Sequence, residues 1–72
     1  MPEPTFTRRQ LQMIEHIARG RSNVEIAGLL GISSRTVRAH CDALRWKLAT
    51  SRREIPVAYR TATGLDPFTA AT

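Results

Sequence analysis

The chain has 72 residues, a net charge of +5 and a single cysteine, which bounds it to one small domain with neither an internal disulfide nor a cysteine-built zinc site. No apolar run approaches the ~20 residues of a membrane span, and the opening "MPEPTF" lacks the basic-then-apolar layout of a secretion signal, so the expected setting is the cytoplasm. A domain near this size buries only about 60 % of its unfolded surface, so a partner subunit would help to stabilise it.

Residues 1–5 read as a flexible lead. Thr7 followed three residues later by Gln10 makes a capping box, and Leu11, Ile14, Ile17 and Ala18 then recur at helical spacing. A helix over 8–19 is predicted, ended by Gly20. Ser22 and Glu25 make a second capping box for a helix over 23–30, whose apolar face is Ile26, Ala27 and Leu30. Gly31 stops that face and Ser33 restarts the chain as an N-cap. A glycine between two short helices implies one residue at positive φ in a tight turn, and two helices joined in this way form a helix-turn-helix. The third helix follows Ser33 and continues to about Ala49. The fourth begins between Arg52 and Pro56 and ends before Gly64. Nothing alternates with strand period, so the fold class is all-α, and the tail 66–72 reads as loosely held.

Charge is concentrated on the third helix and just beyond it. Residues 33–53 hold Arg35, Arg38, Arg45, Lys47, Arg52 and Arg53 against one acid, Asp42, so this window carries the whole net charge; elsewhere five bases balance five acids. At about 100° per residue, Val37, Cys41, Leu44 and Leu48 fall on one side and form a core stripe. The other side carries Arg35, Arg38, Ala39, Asp42 and Trp46, with Arg45 at its edge. Such a set suits a major groove: arginine binds guanine O6/N7 bidentately, alanine touches a thymine methyl, and aspartate accepts from cytosine N4. Arg45, at the edge of that side, and Lys47, Arg52 and Arg53, further along, suit phosphates. The N-termini of the second and third helices, at Ser22, Asn23 and Ser34, present free N–H groups and the positive ends of helix dipoles to phosphate.

The stretch "FTRRQLQMIEHIARGRSNVEIAGLLGISSRTVRAHCDALRWKL" resembles the DNA-binding domain of the LuxR/GerE family of bacterial transcription regulators. The resemblance is carried by Thr7, Arg9, Gly20, Ser22, Asn23, Glu25, Ile26, Ala27, Leu30, Ile32, Ser33, Thr36, Val37, His40, Lys47 and Leu48, in register without a gap. It implies a four-helix helix-turn-helix domain over 6–65 that binds double-stranded DNA as a homodimer, with the third helix in the major groove. By position it places base reading on Arg38, Ala39 and Asp42, and phosphate contacts on Asn23, Thr36 and Lys47. It associates the fourth helix, with Val57, Ala58, Tyr59, Thr61 and Ala62, with dimerisation. The sequence departs from the family pattern at Gln10, where glutamate is usual, at Ala49–Thr50, where Gly-Val is common, and at Pro56, which must either open the fourth helix or distort its first turn.

Two competing functions use the same fold. One keeps the helix-turn-helix as a protein-interaction module that binds another regulator or RNA polymerase, for which Val24 and Leu29, at positions usually polar in the family, offer an apolar surface. The other is a sigma-factor region, which needs further polymerase-binding domains. The clustered positive charge favours DNA over either. No paired carboxylates, nucleophile–base set or metal cluster points to an enzyme, and no cofactor is implied. Cys41 on the core stripe reads as a small packed hydrophobe, and His16 as a partly buried residue of the first helix.

Overall fold

The computed structural model describes residues 5–72; the first four residues of the expected lead lie outside the described residues. Four helices follow one another: α1 (Arg8–Ala18), α2 (Asn23–Leu30), α3 (Ser34–Leu48) and α4 (Ile55–Thr63). A 3-10 turn, Arg52–Glu54, leads into α4, and another, Pro67–Thr69, follows it. There is no strand among the described residues.

Helix starts are set by local side chains. Both capping boxes form: the Gln10 N–H donates to Thr7 Oγ1 at 3.1 Å while the Thr7 N–H donates to Gln10 Oε1 at 3.0 Å. Ser22 and Glu25 repeat the exchange at 3.2 and 3.0 Å. Ser33 Oγ accepts from the Thr36 N–H at 3.1 Å and opens α3. Each box satisfies donors that the first turn of a helix leaves without an internal partner. The turn between α2 and α3 rests on Gly31, whose φ of 67° and ψ of 34° are left-handed. A Cβ built there would meet nothing within 4 Å, so glycine is required by the backbone angle and not by crowding.

α1 contributes Met13, Ile14 and Ile17 to the core, α2 Ile26 and Ala27, α3 Val37, Cys41 and Leu44, and α4 Ile55 and Tyr59. The expected stripes on α2 and α3 are present, with Leu30 and Leu48 partly buried at their margins. On α1 the most buried positions include Met13, which the Leu11–Ile14–Ile17 spacing passed over, while Leu11 is only partly buried. Pro56 is the second residue of α4, after the 3-10 turn. There its missing N–H costs no helix hydrogen bond. Starting α4 at Ile55 places Ile55 and Tyr59, four residues apart, on the buried side.

The segment expected to be a loose tail is docked. Pro67 is buried, Ala70 packs against the core, and the Ala71 N–H donates to Glu15 Oε1 at 3.2 Å. Arg19 donates to the Phe68 carbonyl at 3.0 Å and lies over its ring at 6.0 Å. Glu15 in the last turn of α1 and Arg19, its C-cap, are four residues apart and together form a ledge that holds the returning chain,.

Candidate nucleic-acid interface

α3 exposes the side that the sequence assigns to it. Arg35, Arg38, Ala39, Asp42, Arg45 and Trp46 are all exposed, while Val37, Cys41 and Leu44 turn inward. The salt bridge on this face joins Arg45 to Asp42 at 3.4 Å, with both side chains 52 % exposed. A pair so open to water contributes about 0–1 kcal/mol, so neither Arg45 nor Asp42 is held firmly by the other. Arg35 and Arg38 carry no ion pair among the described residues. Ser34, Thr36 and Arg53 are exposed as well, with Thr36 Oγ1 2.9 Å from Ser33 Oγ.

Two of the expected phosphate ligands are committed within the chain. Arg52 is half-buried; its Nε donates to Asn23 Oδ1 at 3.1 Å and its NH2 to the Arg21 carbonyl at 3.0 Å. Cys41 Sγ points at the same Asn23 oxygen from 3.8 Å. The Asn23 carbonyl is thereby engaged on the inner side, and its amide Nδ2 is the group left for an outside partner. Burial pushes the Cys41 thiol up, with the Arg52 charge opposing the shift, so Cys41 packs as a neutral thiol.

Lys47 is the second. Its Nζ donates to the Thr5 carbonyl at 2.6 Å and to Gln10 Oε1 at 3.0 Å, and it lies 5.3 Å from the centre of the Phe6 ring. Gln10 is itself 8 % exposed. Where the family has a charged glutamate, the neutral amide both caps α1 and accepts from Lys47.

On α4, Val57, Thr61 and Ala62 are exposed and Ala58 is half-buried, but Tyr59 is only 2 % exposed. Its ring meets Phe6 edge-on at 5.4 Å. Tyr59 is therefore a core residue and not part of a dimer surface, because its phase follows from Ile55. Trp46, on the outward side of α3, is 87 % exposed.

The order of helices, the left-handed turn and the basic exposed side of α3 agree with a match to the family model "Bacterial regulatory proteins, luxR family", which covers residues 4–62. The chain belongs to the luxR family. A relative, the "Regulatory protein SdiA" of Escherichia coli (strain K12), is 33 % identical over 64 residues, which is 89 % of this chain and 27 % of that protein. The chain thus spans about a quarter of the length of the curated relative it matches. No solved structure matches it. As a luxR-family helix-turn-helix domain it is part of a class of bacterial regulators. No helix among the described residues is long and apolar enough to cross a membrane.

Proposed function

We propose that this domain binds double-stranded DNA sequence-specifically as a transcription regulator, with the exposed side of α3 in the major groove. The observation that carries the reading is the pairing of geometry and charge on α3. Arg35, Arg38, Ala39 and Asp42 stand together on the outward side of a helix capped at Ser33, and they lie at its N-terminal end, where such helices reach base edges. Ser22, Asn23, Ser34 and Thr36, at the N-termini of α2 and α3, supply phosphate contacts together with Arg45 and Arg53. Lys47 and Arg52 brace these elements from behind. A homodimer fits the outer side of α4, through Val57, Ala58, Thr61 and Ala62. The deciding experiment is a selected-site binding profile for wild type and Arg38→Ala. Arg38→Ala is expected to lose about 1–3 kcal/mol on the preferred site and little on random duplex, relaxing the preference at one base pair. An even loss across all sequences would place Arg38 on the backbone and overturn this docking.

A protein contact is compatible with the same domain. Val24 and Leu29 on α2 are 73 % and 61 % exposed, on a helix whose inner side packs on α3. They lie about 140° apart around α2, so each offers a separate apolar point on which RNA polymerase or another regulator would rest.

A further inference from the structure

Trp46 is the chain's single tryptophan and, among the described residues, its most exposed large apolar side chain. A tryptophan is a costly residue to leave in water, because it carries the largest apolar surface of any side chain together with one N–H donor. Its position excludes a core role: it lies two residues past the buried Leu44, which is about 200° around the helix. It lies four residues past Asp42 and eight past Arg38, on the side of α3 that those residues share, and roughly 12 Å along the axis from Arg38. A concave surface of about 900 Å³ continues from there over the end of the helix, lined by Arg38, Asp42, Arg45 and Trp46 and by residues 49–51.

The chemistry of that cleft is specific in kind. Two guanidinium groups, an indole N–H and the hydroxyls of Thr50 and Ser51 are donors, and the one carboxylate, Asp42, already has Arg45 at 3.4 Å. The Trp46 ring is the one large apolar group in it, and the remaining apolar lining is the Ala49 and Thr50 methyls and the arginine stems. An anionic chain that alternates charged groups with small apolar faces matches this lining, whereas a protein helix would need a broader apolar floor. We propose that the cleft seats one sugar–phosphate strand at the edge of the bound site, with the Trp46 ring lying on a deoxyribose and Arg45, Thr50 and Ser51 meeting the adjoining phosphates. The proposal rests on the DNA-binding reading above and extends the footprint beyond the bases that Arg38 reaches. Trp46 adds affinity without adding sequence preference.

Because there is one tryptophan, its fluorescence reports this cleft alone. The test uses the full chain, a duplex obtained by in-vitro selection, and a scrambled duplex; binding is followed separately by the anisotropy of a label on the DNA. The expected result is that acrylamide quenching of Trp46 falls sharply when the selected duplex saturates. Trp46→Ala is expected to weaken both duplexes by roughly three- to tenfold, with base preferences and salt slope unchanged, and Trp46→Phe to recover part of the loss. The side chain is outside the core, so thermal melting of both variants should match wild type. Unchanged quenching in a saturated complex, with wild-type affinity for Trp46→Ala, would overturn the cleft and leave the DNA reading standing. A changed base preference in Trp46→Ala would overturn it in favour of base reading. Protection of Trp46 that rises with protein concentration in the absence of DNA would hand the cleft to a second copy of the chain. Failure of the wild type to bind any duplex would remove both proposals together.

Discussion

The basic residues between Ser33 and Arg53 divide into two groups that look alike in the sequence and differ in the fold. Arg35, Arg38 and Arg45 stand on the outward side of α3, and their one ion pair among the described residues, Arg45–Asp42, is solvated on both sides. Arg52 and Lys47 instead spend their donors on carbonyl oxygens of their own chain: Asn23 and Arg21 for the first, Thr5 and Gln10 for the second. A local charge count therefore overstates the number of cations a polyanion can use. A guanidinium that already makes charge-assisted hydrogen bonds would lose them on turning to a phosphate, at about 1.5–3 kcal/mol each.

The difference can be broken most visibly with salt. If the domain binds DNA as the proposed homodimer and neutralises about six phosphates, it is expected to lose ~10³-fold in affinity between 50 and 200 mM salt. Removing one outward cation, as in Arg45→Gln, should lower the slope of log affinity against log salt by about 1 per subunit contact. Arg52→Gln should leave the slope unchanged. A slope that drops equally in both variants would erase the distinction.

The next effect is on stability, and it runs the other way. Arg52→Gln removes two charge-assisted bonds and leaves the Asn23 oxygen with only the Cys41 thiol as donor; with the exposure of the half-buried Arg52 discounted, urea unfolding should show a loss of roughly 2–3 kcal/mol. Arg38→Ala should fall within about 0.5 kcal/mol of wild type, as an exposed position away from any brace. Similar stabilities for the two variants would mean that the Arg52 brace contributes nothing.

Lys47→Met tests the second brace with a smaller expected change of about 1 kcal/mol. The two hydrogen bonds and the Phe6 contact are lost, but the Lys47 side chain is exposed and screened,. Its loss should not depend on DNA sequence, and a loss of base preference in Lys47→Met would place it in the groove.

The smallest effect adds a third inward cation. Arg21 NH1 donates to His16 Nδ1 at 2.8 Å, which requires the neutral ring. Burial, and then the Arg21 charge, hold the His16 pKa below the ordinary 6.5. Because the folded-state pKa is the lower one, the unfolded chain binds the extra proton. The contribution is complete above pH 6.5 and is lost as pH falls through the folded value. The melting temperature should drop modestly on acidification in wild type and less in His16→Gln. An equal drop in both would mean that this pair adds no pH dependence.

What could be read in advance follows the range of each interaction. The two capping boxes, the Ser33 cap and the Gly31 turn were legible because each closes within three to five residues. The outward set on α3 was legible from period alone, as was the packing of Cys41. Tyr59 was misplaced because its phase depends on where α4 begins, and Pro56 hid that boundary. The docked tail and the two braces were not legible: Glu15 to Ala71, Gln10 to Lys47 and Asn23 to Arg52 are separated by 56, 37 and 29 residues. No local pattern marks an arginine whose partner lies that far away.

At the end of α3, Ala49 closes the helix with φ 52° and ψ 50°, the one non-glycine residue at positive φ among the described residues. A side-chain methyl in that conformation costs roughly 1–2 kcal/mol, against about 0.4–1 kcal/mol of unfolded-chain entropy that a glycine would add. Position 49 is therefore a tuning point for anyone retargeting this scaffold. Libraries that randomise Arg38, Ala39 and Asp42 discard members that no longer fold, and a small domain has little stability to spare. Building such a library on Ala49→Gly would widen the set of combinations at these proposed base-reading positions that survive selection while leaving every donor on the outward side in place.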